Sequence, residues 1–278
     1  MSDLLGMDRA VFLFWVSVGL LTAGGIAVWL SGRAELRRRW FTWVVIAPVV
    51  GVPIWLGRGP TAALAAALGV LAVREYARLV RLPRSDRRML TALAVFFPAS
   101  AWLAPNLLAL APLIALGCAL PALLSGDTEH GLRRAAASAF GSIWICWALG
   151  FLVIEWQDAF VVCFAAAAAD VAAWCGGRGL RPFRWARTPL SPLSPNKTVG
   201  GLVGAVVGAI VVCTLLGVAS VGFIVAVGVG SVAGDLLESM VKRQAGVKDA
   251  GRWLPGFGGL LDRIDSLLLV LPLASVLR

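Results

Sequence analysis

The sequence predicts an all-α, polytopic integral membrane protein of about ten transmembrane helices, several of them short or broken. Three observations carry this. The 278 residues are 59% hydrophobic, only 14% are charged, and the mean hydropathy is +0.86. A soluble domain carries about 25% charged residues. The apolar residues also fall into runs near the roughly 20 residues that a membrane-spanning helix needs. The loops between these runs alternate between strongly basic and nearly uncharged.

The apolar runs lie at roughly 10–30, 41–56, 61–80, 89–104, 107–124, 136–155, 158–176, 199–217, 219–234 and 264–277. The first lacks a basic leader and a small-residue cleavage site, so it is read as a retained helix and not a signal peptide. Basic loops follow runs one ("GRAELRRRW"), three ("RLPRSDRR"), five (Arg133 and Arg134), seven ("GGRGLRPFRWARTPLSPLSPNK") and nine ("KRQAGVKDAGR"). The loops between them, "GRGP", "APN", "EWQD" and "VAS", are short and nearly bare. Lys and Arg concentrate on the cytoplasmic side, so every odd-numbered exit is expected in the cytoplasm and both termini outside. The chain divides into N-terminal helices over 1–135 and a C-terminal region over 136–278 that holds the unusual polar residues.

The formal charge of +10 would suggest nucleic acid in a soluble protein. Here it belongs to basic loops facing anionic headgroups, and nucleic acid is not an expected partner. The five cysteines, Cys118, Cys146, Cys163, Cys175 and Cys213, lie in apolar runs with no CxxC, and the lone His130 sits in a polar loop. Neither pattern makes a zinc site.

Five of the fifteen carboxylates lie between Gly234 and Ser266. Asp235, Glu238, Ser239 and Lys242 are spaced i, i+3, i+4, i+7 and share one helical face. Such a stripe is either a helix end extending charges into water, with Glu238 and Lys242 as an exposed pair, or part of a site. Asp262 and Asp265 sit one turn apart at the start of the last run. They are either partners of the helix dipole or carboxylates held by a cation. Hard divalent ions such as Mg²⁺ prefer carboxylate oxygens, and Asp235 with Asp262 and Asp265, brought together from two helices, could hold one or two of them. Between the stripes, Pro255, Gly256, Gly258 and Gly259 break the helix and let backbone amides approach a ligand. No Walker-type GxxxxGK[ST] is present. Upstream, Ser191, Ser194, Lys197 and Thr198 precede run eight, a pattern suited to phosphate at a helix start. Asp170 stands inside run seven, where an acid is a functional candidate.

The stretch "SMVKRQAGVKDAGRWLPGFGGLLDRID" resembles the signature of the phosphatidate cytidylyltransferases, or CDP-diacylglycerol synthases. Ser239, Lys242, Arg243, Lys248, Asp249, Pro255, Gly256, Gly258, Gly259, Asp262, Arg263 and Asp265 match it in spacing. "SPNKT" and "DVAAW…GGR" resemble two further elements, and "REYARL" is a faint upstream echo. The likeness spans roughly 165–278. Phe257 replaces the usual His, Gly200 an acid, and Val171–Ala172 a Thr–Gly pair.

The resemblance implies transfer of a cytidylyl group from CTP to phosphatidate, or a related lipid phosphate, giving CDP-diacylglycerol and pyrophosphate for phospholipid synthesis. Asp235, Asp262, Asp265, Lys242, Lys248 and Asp249 would carry the chemistry. Ser194, Lys197, Thr198, Ser239, Arg243, Arg263, Gly256, Gly258, Gly259 and Asp170 would hold nucleotide or lipid phosphate. It further implies Mg²⁺, membrane lipid as a partner, a bacterial inner membrane with the site facing the cytoplasm, and leaves a homodimer open. A CTP-dependent lipid kinase, a transporter and a non-enzymatic scaffold are the competing readings.

Overall fold

The computed structural model describes residues 2–251 and 258–277. Among them the regular structure is helical: α1 (Ser2–Ser31), α2 (Ala34–Leu56), α3 (Arg58–Leu79), α4 (Arg84–Leu103), α5 (Ala111–Gly117), α6 (Leu120–Leu124), α7 (Gly131–Gly141), α8 (Ala148–Ile154), α9 (Ala159–Gly179), α10 (Val199–Leu215), α11 (Val221–Gln244) and α12 (Leu261–Leu277). A 3₁₀ segment, Pro105–Leu110, leads into α5 and α6. A π segment, Ser142–Trp147, joins α7 to α8. Grouped this way, the helices reproduce the ten apolar runs.

Five helical runs are long and apolar enough to cross a membrane: Phe14–Ser31, Pro105–Leu124, Gly131–Ile154, Ala159–Gly179 and Val221–Gln244. Trp40–Leu56 and Val199–Leu215 are shorter apolar helices. The protein is an integral membrane protein. Its outer faces fit that solvent, since Phe12, Trp15, Leu30, Trp55, Leu124, Leu215 and Val221 are all exposed. Lipid satisfies such side chains, whereas every backbone amide in the hydrocarbon must be paired internally, as helices allow.

The broken runs have local causes. Pro105, Pro112 and Pro121 stand at or near the starts of the three short pieces of run five, where a missing amide hydrogen costs least. In run six, the Tyr76 ring from α3 lies against Gly141, where a Cβ would come within 2.6 Å of the ring. The Tyr76 hydroxyl donates to the Ala137 carbonyl at 2.7 Å. The π segment begins one residue after that contact.

The buried core runs through α3, α4, the α7–α8 run, α9, α11 and α12, with Tyr76, Phe97, Leu149, Phe223, Leu268 and Leu271 fully enclosed. No hydrophobic driving force separates helix from lipid, so close packing has to hold the helices together. A Cβ on Gly234 of α11 would stand 2.5 Å from the Asp265 carbonyl and 3.0 Å from the Ser266 Cα. Glycine there lets α11 and α12 touch at backbone distance, one residue from Asp235.

Polar contacts gather the basic exits at one end of the bundle. Arg134, at the start of α7, binds Asp86, at the start of α4, at 2.7 Å, and Asp127 at 2.6 Å. Glu75, near the end of α3, accepts amides at the start of α12. The Arg243 Nε, near the end of α11, donates to the Leu193 carbonyl in the loop before α10. The exits after runs three, five, seven and nine therefore share one end, in the parity that the charge pattern predicts.

Candidate active site

The close crossing at Gly234 brings two acidic stripes together. One oxygen each from Asp235 and Glu238 on α11 and Asp265 on α12 lie within 4.8 Å of one another. Glu238 is fully buried and Asp265 nearly so. Two lysines meet this group. Lys197, from the loop before α10, pairs with Asp235. Lys242, one turn beyond Glu238, pairs with Glu238 and donates to Asp262 Oδ1 at 2.7 Å. The other oxygen of Asp262 accepts the backbone N–H groups of Ala250 and Gly259, each at 2.8 Å. The Ser266 hydroxyl, next to Asp265, donates to the Asp170 carboxylate of α9 at 3.1–3.2 Å.

The charges do not balance. Among the described residues, Asp235, Glu238, Asp262 and Asp265 pair with two ammonium groups, Lys197 and Lys242, so the carboxylates outnumber their lysine partners where burial makes charge costly. The Glu238 Oε1 is buried with no hydrogen-bond partner. These two facts fit a hard divalent cation among carboxylate oxygens. Burial pulls the Lys197 ammonium below its ordinary pKa, while the charges of Asp265 and Asp170 act in the opposite direction.

The loop that delivers Lys197 is closed by its own backbone. The Leu190 N–H donates to the Lys197 carbonyl at 2.8 Å and the Val199 N–H to the Thr188 carbonyl at 2.9 Å. Within it the Lys197 N–H donates to the Ser194 carbonyl at 2.9 Å. The Thr198 Oγ1 caps α10 by accepting the Gly201 N–H at 3.3 Å, as a threonine before a helix does. Ser194, Lys197 and Thr198 thus form a fixed turn beside Asp235.

The other expected residues are spread more widely. Asp262 lies across Lys242 from the trio of Asp235, Glu238 and Asp265, so Glu238 takes the place in the trio that the sequence reading gave to Asp262. Ser239 is buried on α11. Arg243, Lys248, Asp249 and Arg263 are exposed around the same end. Gly258 has φ +82°, and a Cβ there would stand 2.8 Å from Asp262 Oδ2, so the turn requires glycine. Gly259 packs against Glu75. Gly256, with Pro255 and Phe257, lies outside the described residues.

Two acids gain importance from the structure. The Glu238–Lys242 pair forms as the i, i+4 spacing predicts, but it is buried, not exposed at a helix end, because α12 covers that face of α11. Glu75 is 4% exposed and accepts the Leu260 N–H at 3.0 Å and the Leu261 N–H at 2.7 Å. Its signal was a carboxylate inside an apolar run, the same signal that singled out Asp170.

Residues 37–278 match the cytidylyltransferase family, a span that includes every residue of this site. The chain belongs to the cytidylyltransferase family. Among relatives of this family member, the phosphatidate cytidylyltransferase of Thermotoga maritima is 29% identical over 264 residues, 87% of this chain and 96% of the relative. That of Helicobacter pylori is 41% identical over 127 residues, 43% of this chain and 44% of the relative. The chloroplastic phosphatidate cytidylyltransferase 5 of Arabidopsis thaliana is 44% identical over 108 residues, 36% of this chain. The matched segments thus span less than half the length of the last two relatives, 44% and 26%.

Proposed function

We propose that this protein transfers a cytidylyl group from CTP to phosphatidate, giving CDP-diacylglycerol and pyrophosphate, with the site at the cytoplasmic face of a bacterial inner membrane. The observation that carries this reading is the unbalanced carboxylate group at the α11–α12 crossing, ringed by lysines and a rigid Ser–Pro–Asn–Lys–Thr turn. The relatives' activity as phosphatidate cytidylyltransferases supplies the nucleotide and the lipid.

A phosphate oxygen of phosphatidate attacks the α-phosphorus of CTP. The bond to the bridging oxygen of the β-phosphate breaks, and pyrophosphate leaves with the electron pair. The nucleophile is already an anion, so no strong general base is needed, in keeping with the single histidine. What the step requires is alignment and charge neutralisation. Asp235, Glu238 and Asp265 would hold Mg²⁺, with Asp262 adjacent through Lys242. A divalent ion so bound supplies positive charge to the phosphoryl oxygens. Lys197 and Lys242 exchange part of their contact with carboxylates for contact with phosphate. Lys197 stands one residue before the Thr198 cap of α10, so a phosphate bound to it would also meet the positive end of that helix's dipole. Asp170 and Ser266 mark the side nearest the hydrocarbon, where the lipid phosphate would approach.

The test uses purified protein in detergent micelles containing phosphatidate, with CTP labelled in the cytosine or at the γ-phosphate, and Mg²⁺. Cytosine label in the lipid fraction with stoichiometric pyrophosphate release, lost in Asp265→Asn, supports the proposal. γ-Label transferred to a lipid alcohol with release of CDP would replace it with the kinase reading. No transfer from CTP to any lipid phosphate would overturn it.

A further inference from the structure

The start of α12 lacks a cap of its own. The residues before Leu261 are Gly258, Gly259 and Leu260, none with a side-chain acceptor. A helix start leaves its first N–H groups unsatisfied, and in a buried setting each must find a partner. Here the Gly259 N–H goes to Asp262 Oδ2. The Leu260 and Leu261 N–H groups go to the two oxygens of Glu75, a residue 185 positions upstream on α3. The same carboxylate closes the neck of the glycine-rich loop. A Cβ on Gly251 or on Gly259 would stand 2.6 Å from a Glu75 oxygen, and a Cβ on Gly259 would stand 2.7 Å from the Gly251 nitrogen. Both strands of the neck thus pass against one buried carboxylate, with room only for hydrogen at their α-carbons.

We infer that Glu75 is a positioning residue for the proposed transfer: an acceptor supplied by α3 that pins the neck where Gly251 meets Gly259 and the first turn of α12. Its hydrogen bonds at the start of α12 go to backbone amides. It acts through Asp262, whose oxygen is held by amides from both sides of that neck, Ala250 and Gly259, and which in turn anchors Lys242. Releasing Glu75 unpins Gly251, Gly259 and the Leu260–Leu261 amides, the backbone next to the Ala250 and Gly259 amides that set Asp262, so Lys242 loses its fixed place between Asp262 and Glu238. The inference rests on the cytidylyl-transfer reading for its kinetic consequence but not for its structural one.

The experiment compares the whole wild-type protein with Glu75→Gln and Glu75→Ala by peptide-resolved hydrogen exchange in micelles, alongside turnover. Hydrogen bonds to a charged acceptor are the stronger class, so the amides of 258–263 are expected to exchange about tenfold to a hundredfold faster in Glu75→Ala. Glu75→Gln, which keeps one good acceptor oxygen, should fall between. Exchange in the α7–α8 run should stay at wild-type rates in both. Turnover should fall at least about tenfold through kcat, with KM for CTP changed less, because Lys197 and its turn are untouched. Unchanged exchange at 258–263 would overturn the inference. So would faster exchange spread equally over α3, α7 and α12, which would make Glu75 a general core group. Localised exchange with kcat unaltered would refute the positioning role. If cytidylyl transfer itself is absent from the wild type, the exchange data still decide whether Glu75 holds the neck.

Discussion

Replacing Glu238 by Gln separates a metal site from a structural salt bridge, because the two make opposite predictions for stability. Glu238 is fully buried, with one oxygen on Lys242 and the other without a partner. Asp235 and Asp265 present oxygens within 4.8 Å of it. Two like charges about 4 Å apart repel by about 4 kcal/mol at an effective dielectric constant of about 20. Two such neighbours outweigh the attraction of one lysine that is shared with Asp262. The amide removes the charge, keeps an acceptor for Lys242, and turns an N–H donor toward the neighbouring carboxylates. Without divalent ion, Glu238→Gln should therefore be more stable than wild type by about 1–2 kcal/mol, a rise of a few degrees in Tm at about 2–4 °C per kcal/mol. With Mg²⁺ the order should invert. A bound ion adds about 2.7 kcal/mol at a hundred times its Kd, and loss of a ligand should weaken binding by at least the 10–100-fold typical of groups that merely support ligands. Thermal melts in micelles across a Mg²⁺ titration provide the assay. A variant that melts below wild type at every Mg²⁺ concentration, with an unchanged midpoint, would refute the reasoning and leave Glu238 a structural partner of Lys242.

Three other outcomes follow from the same geometry. Arg134→Met strands Asp86, which is fully buried, and should destabilise the protein by about 3 kcal/mol or more; Asp86→Asn added to it should recover part of that loss in a melting assay. Gly234→Val drives side-chain carbons into the Asp265 backbone, a neighbour that cannot swing aside, and should cost about 3 kcal/mol along with turnover, both read by melting and product formation. Asp127, in the loop before α7, has its pKa held below the ordinary carboxylate value by its hydrogen bond to Arg134 and the His130 N–H. A lowered folded pKa gives stability that is present above the unfolded value, about 3.9, and lost as pH falls through the folded one; Asp127→Asn should flatten the melting profile in that acid window alone.

Much of this fold is legible because lipid imposes simple rules. Helix positions follow from apolar runs, and the shared end of the basic exits follows from loop charge. The Asp235–Lys242 stripe is legible because helical periodicity puts those residues on one face. The cross-chain partnerships are less visible. That α12 would cover Glu238 depends on Gly234, whose role appears only when two backbones meet. That Asp262 would bind Lys242 and two amides, while Glu238 joined Asp235 and Asp265, depends on how the glycine-rich turn rotates the first turn of α12. Spacing puts Asp262 and Asp265 on one side of a helix but does not say which of the two joins Asp235 and which meets Lys242. Glu75 shows the limit most clearly, because its partners are backbone amides, which carry no sequence signature. Only the missing cap before Leu261 hints that an acceptor must come from elsewhere.

The location of the site follows from what the membrane forbids. Uncapped amides, positive-φ turns and unbalanced carboxylates are too costly within hydrocarbon, and fully in water they would be solvated and weak. The boundary end of the bundle is where a turn such as 188–198 and a close approach such as that of Gly251 to Gly259 can exist beside helices that hold them still. There Glu238 and Asp265 of α11 and α12 are buried, a setting in which the proposed cation would offset their charge, while Lys248, Asp249 and Arg263 remain exposed. Asp170, inside the apolar α9, accepts from Ser266 beside Asp265. The proposed reaction joins a water-borne nucleotide to a bilayer-borne phosphate and so needs both surroundings within a few ångströms, which the crossing of α11 with the start of α12 would supply.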